Sequence, residues 1–352
     1  MMQIQSHSHP YAVVECADVQ KALESLLDGD AASFFLVDEK VADLYRGQLA
    51  ALPAERVYRI VATEEAKSYE QVNPVLCWLL GARCRRGSQL VVIGGGVLQD
   101  IGGFVASILL RGIRWTLLPT TLLAQCDSCV GSKSSLNIGR FKNQLGTFHP
   151  PHEVRLAFQF LNTLSSEEIL GGLGEAIKLH LIDGPASVER LRRKLAVSQT
   201  ADLPLRDTVW DSLQIKQRYV EQDEFDRGIR NLLNYGHTFA HAFESATQYA
   251  IPHGIAVTLG VACATFFSER LGMTPSGEFD RLRTWLQPYF GGYEQTLRGL
   301  DVAAAMAGMK SDKKNVGDGI TFILTRGPGA MEKVGMDAHV VPALLQDCLK
   351  AL

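Results

Sequence analysis

Apolar and polar positions change their rhythm near residue 160. Before it, short apolar runs alternate with stretches whose apolar residues recur at three and four. Residues 33–38, 57–61, 90–93 and 115–119 are β-rich runs. Residues 41–49, 69–80 and the stretch after Gly96 carry helical spacing. Strands alternating with helices predict βαβ units and a mostly parallel, Rossmann-like sheet. After about Ser165 the helical spacing takes over, at 167–181, 186–195, 205–224, 229–248, 255–271 and 278–286. Residues 320–324 are the exception, a late strand-like run. The expected organisation is an α/β domain over 1–160 and a mainly α-helical domain over 161–352. The active site is expected in the cleft between them, where ligands commonly bind.

Composition narrows the class. The chain has 352 residues, 46 % of them hydrophobic, enough to bury a large core. A net charge of −3 gives no basic patch for nucleic acid or an anionic membrane surface. No apolar run is long enough to span a bilayer, and the N-terminal stretch lacks the basic and apolar regions of a signal peptide. Seven scattered cysteines, an odd number, fit reduced thiols and a cytoplasmic location. Cys126 and Cys129 form a lone C-x-x-C with no second pair, which reads as two small buried residues.

The chemistry concentrates in a few places. His237, His241 and His253 fall within 17 residues, and the first two are spaced i, i+4 on one helix face. Histidine is the commonest metal ligand, and two helix histidines with a distant carboxylate make an open catalytic metal site. By spacing alone, His237 and His241 are the joint ligands. Arg230 and Asn234 precede them and suit oxyanions. Gly94-Gly95-Gly96 follows an apolar strand and allows a phosphate to approach the backbone and the next helix N-terminus. Asp100, Thr120, Thr121, Asp127, Lys133, Asn137, Lys142 and Asn143 follow among apolar strands, where polar groups are costly unless they meet a ligand or one another. Glu175 and Lys178 are i, i+3 on one helix face; in isolation they read as a surface ion pair, and the glycines crowded before them point to close packing at a site. His7, His9, His149, His152 and His180 receive no role.

The order of these motifs resembles the 3-dehydroquinate synthase family of sugar phosphate cyclases, related in fold to glycerol dehydrogenases. The matching blocks are Gly94 to Asp100, Arg111-Gly112, Pro119 to Asp127, Lys133 to Asn137, Lys142-Asn143, Gly172 to Lys178, Arg230 to His241, His253-Gly254 and Asp312 to Asn315. They run from about residue 60 to 325. The resemblance implies a dehydroquinate synthase-like fold and a homodimer. It implies a zinc ion, or Co2+ in its place, on Glu175, His237 and His253, which moves His241 from the ligand set to the substrate phosphate. It implies NAD on Gly94, Gly95, Gly96, Asp100, Thr120, Thr121 and Lys142, with Glu64, Lys67 and Thr163 at the edges and Asp127 and Lys133 shared with substrate. Substrate would also meet Asn143, Lys178, Lys216, Arg230, Asn234 and one lysine of the 312–315 cluster, Lys313. Arg111 would reach a phosphate across the dimer interface.

The implied reaction converts 3-deoxy-D-arabino-heptulosonate 7-phosphate to 3-dehydroquinate and phosphate, in the shikimate pathway of aromatic amino acid biosynthesis. It proceeds by transient NAD-dependent oxidation, β-elimination of phosphate, re-reduction, ring opening and intramolecular aldol closure. Two other readings stand beside it. One is a sister cyclase acting on sedoheptulose 7-phosphate or glucose 6-phosphate; the other is a non-catalytic NAD-binding regulator. His241 stands where sedoheptulose-phosphate cyclases carry Pro, Asn234 stands where deoxy-inosose synthases tend to carry an acid, and Arg230 and Lys133 suit a carboxylate that neutral sugar phosphates lack. The chain also departs from the family pattern: Gln99 stands where a small residue is usual, Gly131 to Asn137 replaces Gly-Gly-Lys-Thr-Gly-Val-Asn, Phe141 replaces a Gly and Ala157 an Asp.

Overall fold

In the computed structural model, residues 1–27, 32–139, 141–196, 204–310 and 319–352 are described. The chain divides into two compact units. Met1–Ser165 and Lys216–Phe225 form the first, and Ser166–Ile215 with Asp226–Leu352 the second. A single boundary at 160/161 therefore leaves out one exchange: the segment after residue 215 belongs with the N-terminal unit.

The first unit is built on β1 (Met2–Ile4), β2 (Tyr11–Cys16), β3 (Ser33–Asp38), β4 (Val57–Ile60), β5 (Gln89–Gly94), β6 (Arg114–Pro119), β7 (Lys133–Ile138), β8 (Phe141–Phe148) and β9 (Glu153–Ala157). Its helices are α1 (Val19–Leu27), α2 (Glu39–Leu44), α3 (Arg46–Leu49), α4 (Tyr69–Gly81) and α5 (Gly96–Ile108). Seven strands form one sheet in the order β1-β2-β9-β6-β5-β3-β4, parallel throughout except for edge strand β1. Phe34 to Val37 and Leu90 to Ile93 are buried without interruption, as expected of strands covered on both faces. That continuity is why these runs are readable as strands. β7 and β8 form a separate antiparallel hairpin. Gly94 pairs with Pro119, so β5 and β6 end side by side, and the chain turns from β5 directly into α5. Ligands of such sheets sit beyond these carboxyl ends. The expected helix over 41–49 is two short ones, broken at Tyr45.

His152 makes this unit acid-sensitive. Burial, then the charges of His9, Arg114 and His149, push its imidazole down to about 4, and its ring stacks on His9 at 4.1 Å. An unfolded chain takes the proton near its ordinary value of about 6.5, whereas the folded chain takes it only near 4. The unfolded state therefore binds more protons in that window, and stability falls as pH drops through it. We expect the urea midpoint to fall between about pH 7 and about pH 5, and to fall less in His152→Phe; an equal fall in both would contradict this.

The second unit holds α6 (Ser166–Asp183), α7 (Pro185–Leu195), most of α8 (Leu205–Gln222), α9 (His237–Ala246), α10 (His253–Arg270), α11 (Glu278–Phe290), α12 (Glu294–Arg298), α13 (Val302–Lys310) and α14 (Val341–Ala351), with hairpin β10 (Gly319–Thr325) and β11 (Met331–Asp337). α10 is buried from Gly254 to Ser268, so it is apolar all round and sits at the centre of its unit. α6 crosses it at glycines: a Cβ on Gly254 would overlap the Gly171 carbonyl oxygen, and one on Gly174 would overlap the Gly254 carbonyl oxygen. The helix expected over 229–248 is broken. A 3₁₀ turn spans Ile229–Asn234, and α9 starts at His237 after Gly236, which lies at φ +79. The left-handed position favours Gly, and a Cβ there would come within 2.7 Å of the Val261 nitrogen. Among the described residues, no helix is long and apolar enough to cross a membrane.

Candidate active site

The second unit gathers three candidate ligand side chains from three helices. Glu175 lies in the middle of α6, His237 opens α9 and His253 opens α10. The glycine crossing of α6 and α10 brings Glu175 close to His253. Glu175 Oε1 lies 3.2 Å from His253 Nε2 and 3.6 Å from His237 Nε2. A four-coordinate metal with bonds of about 2.0–2.1 Å spaces its ligand atoms roughly 3.3 Å apart, so the set fits such an ion. One ligand atom from each of the three lies within 4.8 Å of the other two. Each imidazole has its other nitrogen engaged: His237 Nδ1 lies 3.3 Å from the Tyr235 carbonyl, and His253 Nδ1 lies 3.3 Å from Glu244 Oε1. Such outer contacts fix which nitrogen faces the metal.

Charges in this cluster are strongly perturbed. Burial works against the Glu175 carboxylate, but Lys178 and His237 outweigh it and hold its carboxyl well below the usual range. Lys178 Nζ sits 2.6 Å from Glu175 Oε2, and both side chains are only 2 % exposed. The pair is therefore buried, not the surface pair its spacing suggests in isolation. Burial and the Lys178 charge lower the His237 imidazole. Burial also opposes a charge on His253, yet Glu244 and Glu175 overrule it and lift that imidazole to about 10.

The spacing-based pairing of His237 with His241 as joint ligands is not one of the close groups among the described residues. His241 is exposed and groups with Glu244 and His253 instead, while His237 groups with Glu175 and His253. An i, i+4 pair shares a helix face, but position along the axis decides which residue meets a carboxylate from another helix. Glu244 was missed by sequence reasoning. It is i+3 from His241 on the same helix, and that spacing was the available signal. Arg230, buried, and Asn234, whose amide donates to the Asn231 carbonyl at 3.0 Å, lie on the 3₁₀ turn before α9. Lys313, with the rest of the 312–315 cluster, lies outside the described residues.

In the first unit, the turn from β5 to α5 carries Gly94, Gly95 and Gly96. A Cβ on Gly95 would come within 2.9 Å of Thr121 Cγ2 and one on Gly94 within 2.7 Å of Leu98 Cβ, whereas Gly96 has nothing nearer than Ser128 Oγ at 3.8 Å. The backbone is thus packed on the protein side and accessible at Gly96. Gly95 is the N-cap of α5 and no side chain caps it, so amide groups of the first turn remain for a phosphate. Thr120 N donates to the Gly94 carbonyl at 3.1 Å, tying the end of β6 to this turn.

A continuous polar network lies in the same unit. Lys67 Nζ reaches Asp100 Oδ2 at 2.5 Å and Asn143 Oδ1 at 2.6 Å. Ser135 closes the ring, with its N–H on Asp100 Oδ1 at 2.9 Å and its hydroxyl within 3.1 Å of Asp100 Oδ2 and 2.9 Å of Asn143 Oδ1. Asn137 holds the next layer: it accepts from Asn143 N at 3.0 Å and donates to Glu64 Oε1 at 2.9 Å, and Lys142 Nζ lies 3.4 Å from that oxygen. Burial raises the Asp100 carboxyl against the pull of Lys67 and Ser135. Separately, Lys216 Nζ grips Asp127 at both its carboxylate (2.7 Å) and its carbonyl (2.6 Å). Thr163 Oγ1 lies 3.2 Å from the Tyr45 hydroxyl, Lys133 is exposed at the start of β7, and Arg111 is exposed at φ +67 beside Leu110 at φ +52. Cys126 and Cys129 are buried, and burial pushes the Cys129 thiol up to about 12, which suits an inert role.

Residues 57–171 match the family described as 3-dehydroquinate synthase N-terminal, and residues 172–315 the one described as 3-dehydroquinate synthase C-terminal. The 3-dehydroquinate synthase of Rhodospirillum rubrum is 39 % identical over 310 residues, covering 84 % of this chain and 80 % of that protein. That of Legionella pneumophila is 32 % identical over 356 residues, covering 97 % and 92 %. Among solved structures, 2-epi-5-epi-valiolone synthase from Streptomyces hygroscopicus subsp. jinggangensis, with NAD+ and Zn2+ bound, superposes with a TM-score of 0.81 at 26 % identity, covering 97 % of this chain and 96 % of that one. A 2-deoxy-scyllo-inosose synthase complexed with carbaglucose-6-phosphate, NAD+ and Co2+ shares the fold at a TM-score of 0.87 and 20 % identity, covering 98 % and 99 %. Two family matches that together span most of the sequence, with relatives at 39 % and 32 % identity, lead to one conclusion: the chain belongs to the 3-dehydroquinate synthase family.

Proposed function

We propose that this chain converts 3-deoxy-D-arabino-heptulosonate 7-phosphate to 3-dehydroquinate and phosphate, as an NAD- and metal-dependent carbon–oxygen lyase of the shikimate pathway. The observation that carries the reading is the convergence of Glu175, His237 and His253 at metal-ligand distances in a chain of this family. When bound there, Zn2+ or Co2+ supplies the positive charge that makes a coordinated hydroxyl easier to deprotonate. Gly94, Gly95, Gly96, Asp100, Thr120, Thr121 and Lys142 would hold NAD, with Glu64, Lys67 and Thr163 at its edges, and bound there it would supply reversible oxidation with no net consumption.

The protein's own groups bind and orient. Glu244 holds the ring of His253, and the Tyr235 carbonyl that of His237. Lys178 meets substrate from its buried place beside Glu175, while Arg230 and Lys133 suit the substrate carboxylate. His241 contacts the phosphate, and Asn143, Asn234, Asp127, Lys216 and Lys313 complete the contacts. Once a neighbouring ketone acidifies the C–H, phosphate leaves by β-elimination and its own oxygen is placed to take the proton. We further propose a cytoplasmic homodimer in which Arg111 reaches the partner's substrate phosphate; its exposed position at the end of a left-handed stretch supports this.

The reading is tested by phosphate release from three substrates in parallel, with metal and NAD supplied. Release from the heptulosonate phosphate alone is expected. Release only from sedoheptulose 7-phosphate or glucose 6-phosphate would replace the reading with that of a sister cyclase.

A further inference from the structure

Gln99 is buried, 6 % exposed, one turn into α5, where its own N–H donates to the Gly95 carbonyl at 3.0 Å. Its side-chain amide makes two bonds to one residue. Nε2 donates to the Ser128 carbonyl at 2.5 Å, and Oε1 accepts from the Ser128 hydroxyl at 2.7 Å. Ser128 ends a π-helical turn, Ala124–Ser128. Such turns are rare and short, and the last carbonyls of any helix lack partners within it. Here Asp127 O, which also accepts from Val130 N at 3.3 Å, takes Lys216 Nζ, and Ser128 O takes Gln99 Nε2. Asp127 therefore lies between two grips, one on its own carboxylate and carbonyl and one on the residue that follows it.

We propose that Gln99 is a positioning residue: by pairing with Ser128 it fixes the turn 124–128, and through it the Asp127 carboxylate and the Lys216 ammonium. This deepens the reading above and rests on it for the claim that Asp127 and Lys216 serve the reaction. Where the family pattern has a small residue, the Ser128 carbonyl would lack this donor. The aim of Asp127 then depends on an amide on α5, the helix that starts at the Gly94–Gly96 turn.

The test uses Gln99→Met, which keeps length and apolar bulk but cannot donate to Ser128 O and offers its hydroxyl only a weak thioether acceptor, beside Val105→Ala, which opens a hole further along α5. Val105 is fully buried and makes none of these bonds. Loss of one well-made buried hydrogen-bond pair corresponds to roughly a tenfold effect. Gln99→Met should raise KM for the heptulosonate phosphate, or lower kcat, by about that factor, while Val105→Ala loses thermal stability and keeps both. Acetylation of Lys216 by acetic anhydride, followed on its peptide by mass spectrometry, should run several-fold faster in Gln99→Met than in the parent or in Val105→Ala. Kinetic constants for Gln99→Met within twofold of the parent, or unchanged Lys216 reactivity, would overturn the proposal. If the parent releases no phosphate from this substrate, the functional reading fails, and the Lys216 reactivity still decides whether the clamp exists.

Discussion

Glu175→Gln should lose bound metal and activity together. The carboxylate is the anionic member of the proposed ligand set, and its Oε1 is the atom that both imidazoles face, at 3.2 and 3.6 Å. A neutral amide cannot replace that charge. It also strands Lys178, whose ammonium lies 2.6 Å from the other oxygen in a place only 2 % exposed. Removing one partner of a buried ion pair costs about 3–5 kcal/mol, so the metal-free variant should also unfold more easily than the metal-free parent. We expect metal content near zero after dialysis and kcat/KM down by on the order of a thousandfold or more, with the lost metal charge and hydroxyl activation acting together. Glu175→Gln that retains a full equivalent of metal would remove Glu175 from the ligand set. Glu244→Gln gives the graded comparison: loss of a ligand's outer partner costs roughly 10–100-fold in metal affinity.

Gly254→Ala should be nearly as damaging, although it adds one methyl group and touches no polar side chain. That methyl would overlap the Gly171 carbonyl oxygen, which is backbone and cannot rotate away. α6 and α10 would have to separate, and His253 is the residue immediately before the contact. Overpacking of this kind costs about 1–3 kcal/mol or more. A shift of even part of an ångström also spoils the ligand geometry. Gly174→Ala meets the Gly254 carbonyl oxygen and should behave alike. Gly171→Ala is the control: its Cβ would find nothing within 4 Å, and Ala favours a helix over Gly by about 0.8–1.0 kcal/mol. Thermal midpoints and metal titrations should therefore separate Gly254→Ala and Gly174→Ala from a neutral or stabilised Gly171→Ala. Equal behaviour of all three would refute the close-crossing account.

The contrast between these glycines shows what the sequence could and could not carry. The crowding of Gly171, Gly172 and Gly174 before Glu175 signalled close packing, but not which glycine meets a backbone. Strands β3, β5 and β6 were legible because both their faces are covered and their apolar runs are unbroken. β7 and β8, with Lys, Ser, Asn and Gln through them, offered no such run, although they carry Ser135, Asn137 and Asn143 into the polar network. The break at Gly236 was hidden because a single glycine inside an apolar helical period is usually tolerated. Its left-handed φ, forced by close approach to α10, is a tertiary fact. For the same reason bare spacing favoured His241 over His253. The family resemblance implied the group Glu175, His237 and His253, which periodicity alone did not offer, and the structure brings these three close together. The attachment of 216–225 to the first unit depends on long-range contacts such as Lys216 with Asp127, which no local pattern encodes.

Oxidation and reduction are both expected within one turnover, with NAD a resident cofactor and the net reaction an elimination and cyclisation. The most direct measurement is product and phosphate formed from the heptulosonate phosphate with NAD held well below the enzyme-normalised substrate, in the presence of the metal. The account predicts many 3-dehydroquinate and phosphate molecules per NAD, in equal amounts, with no accumulation of NADH. One turnover per NAD, with NADH building up in step with oxidised sugar, would instead mark a simple dehydrogenase and contradict it.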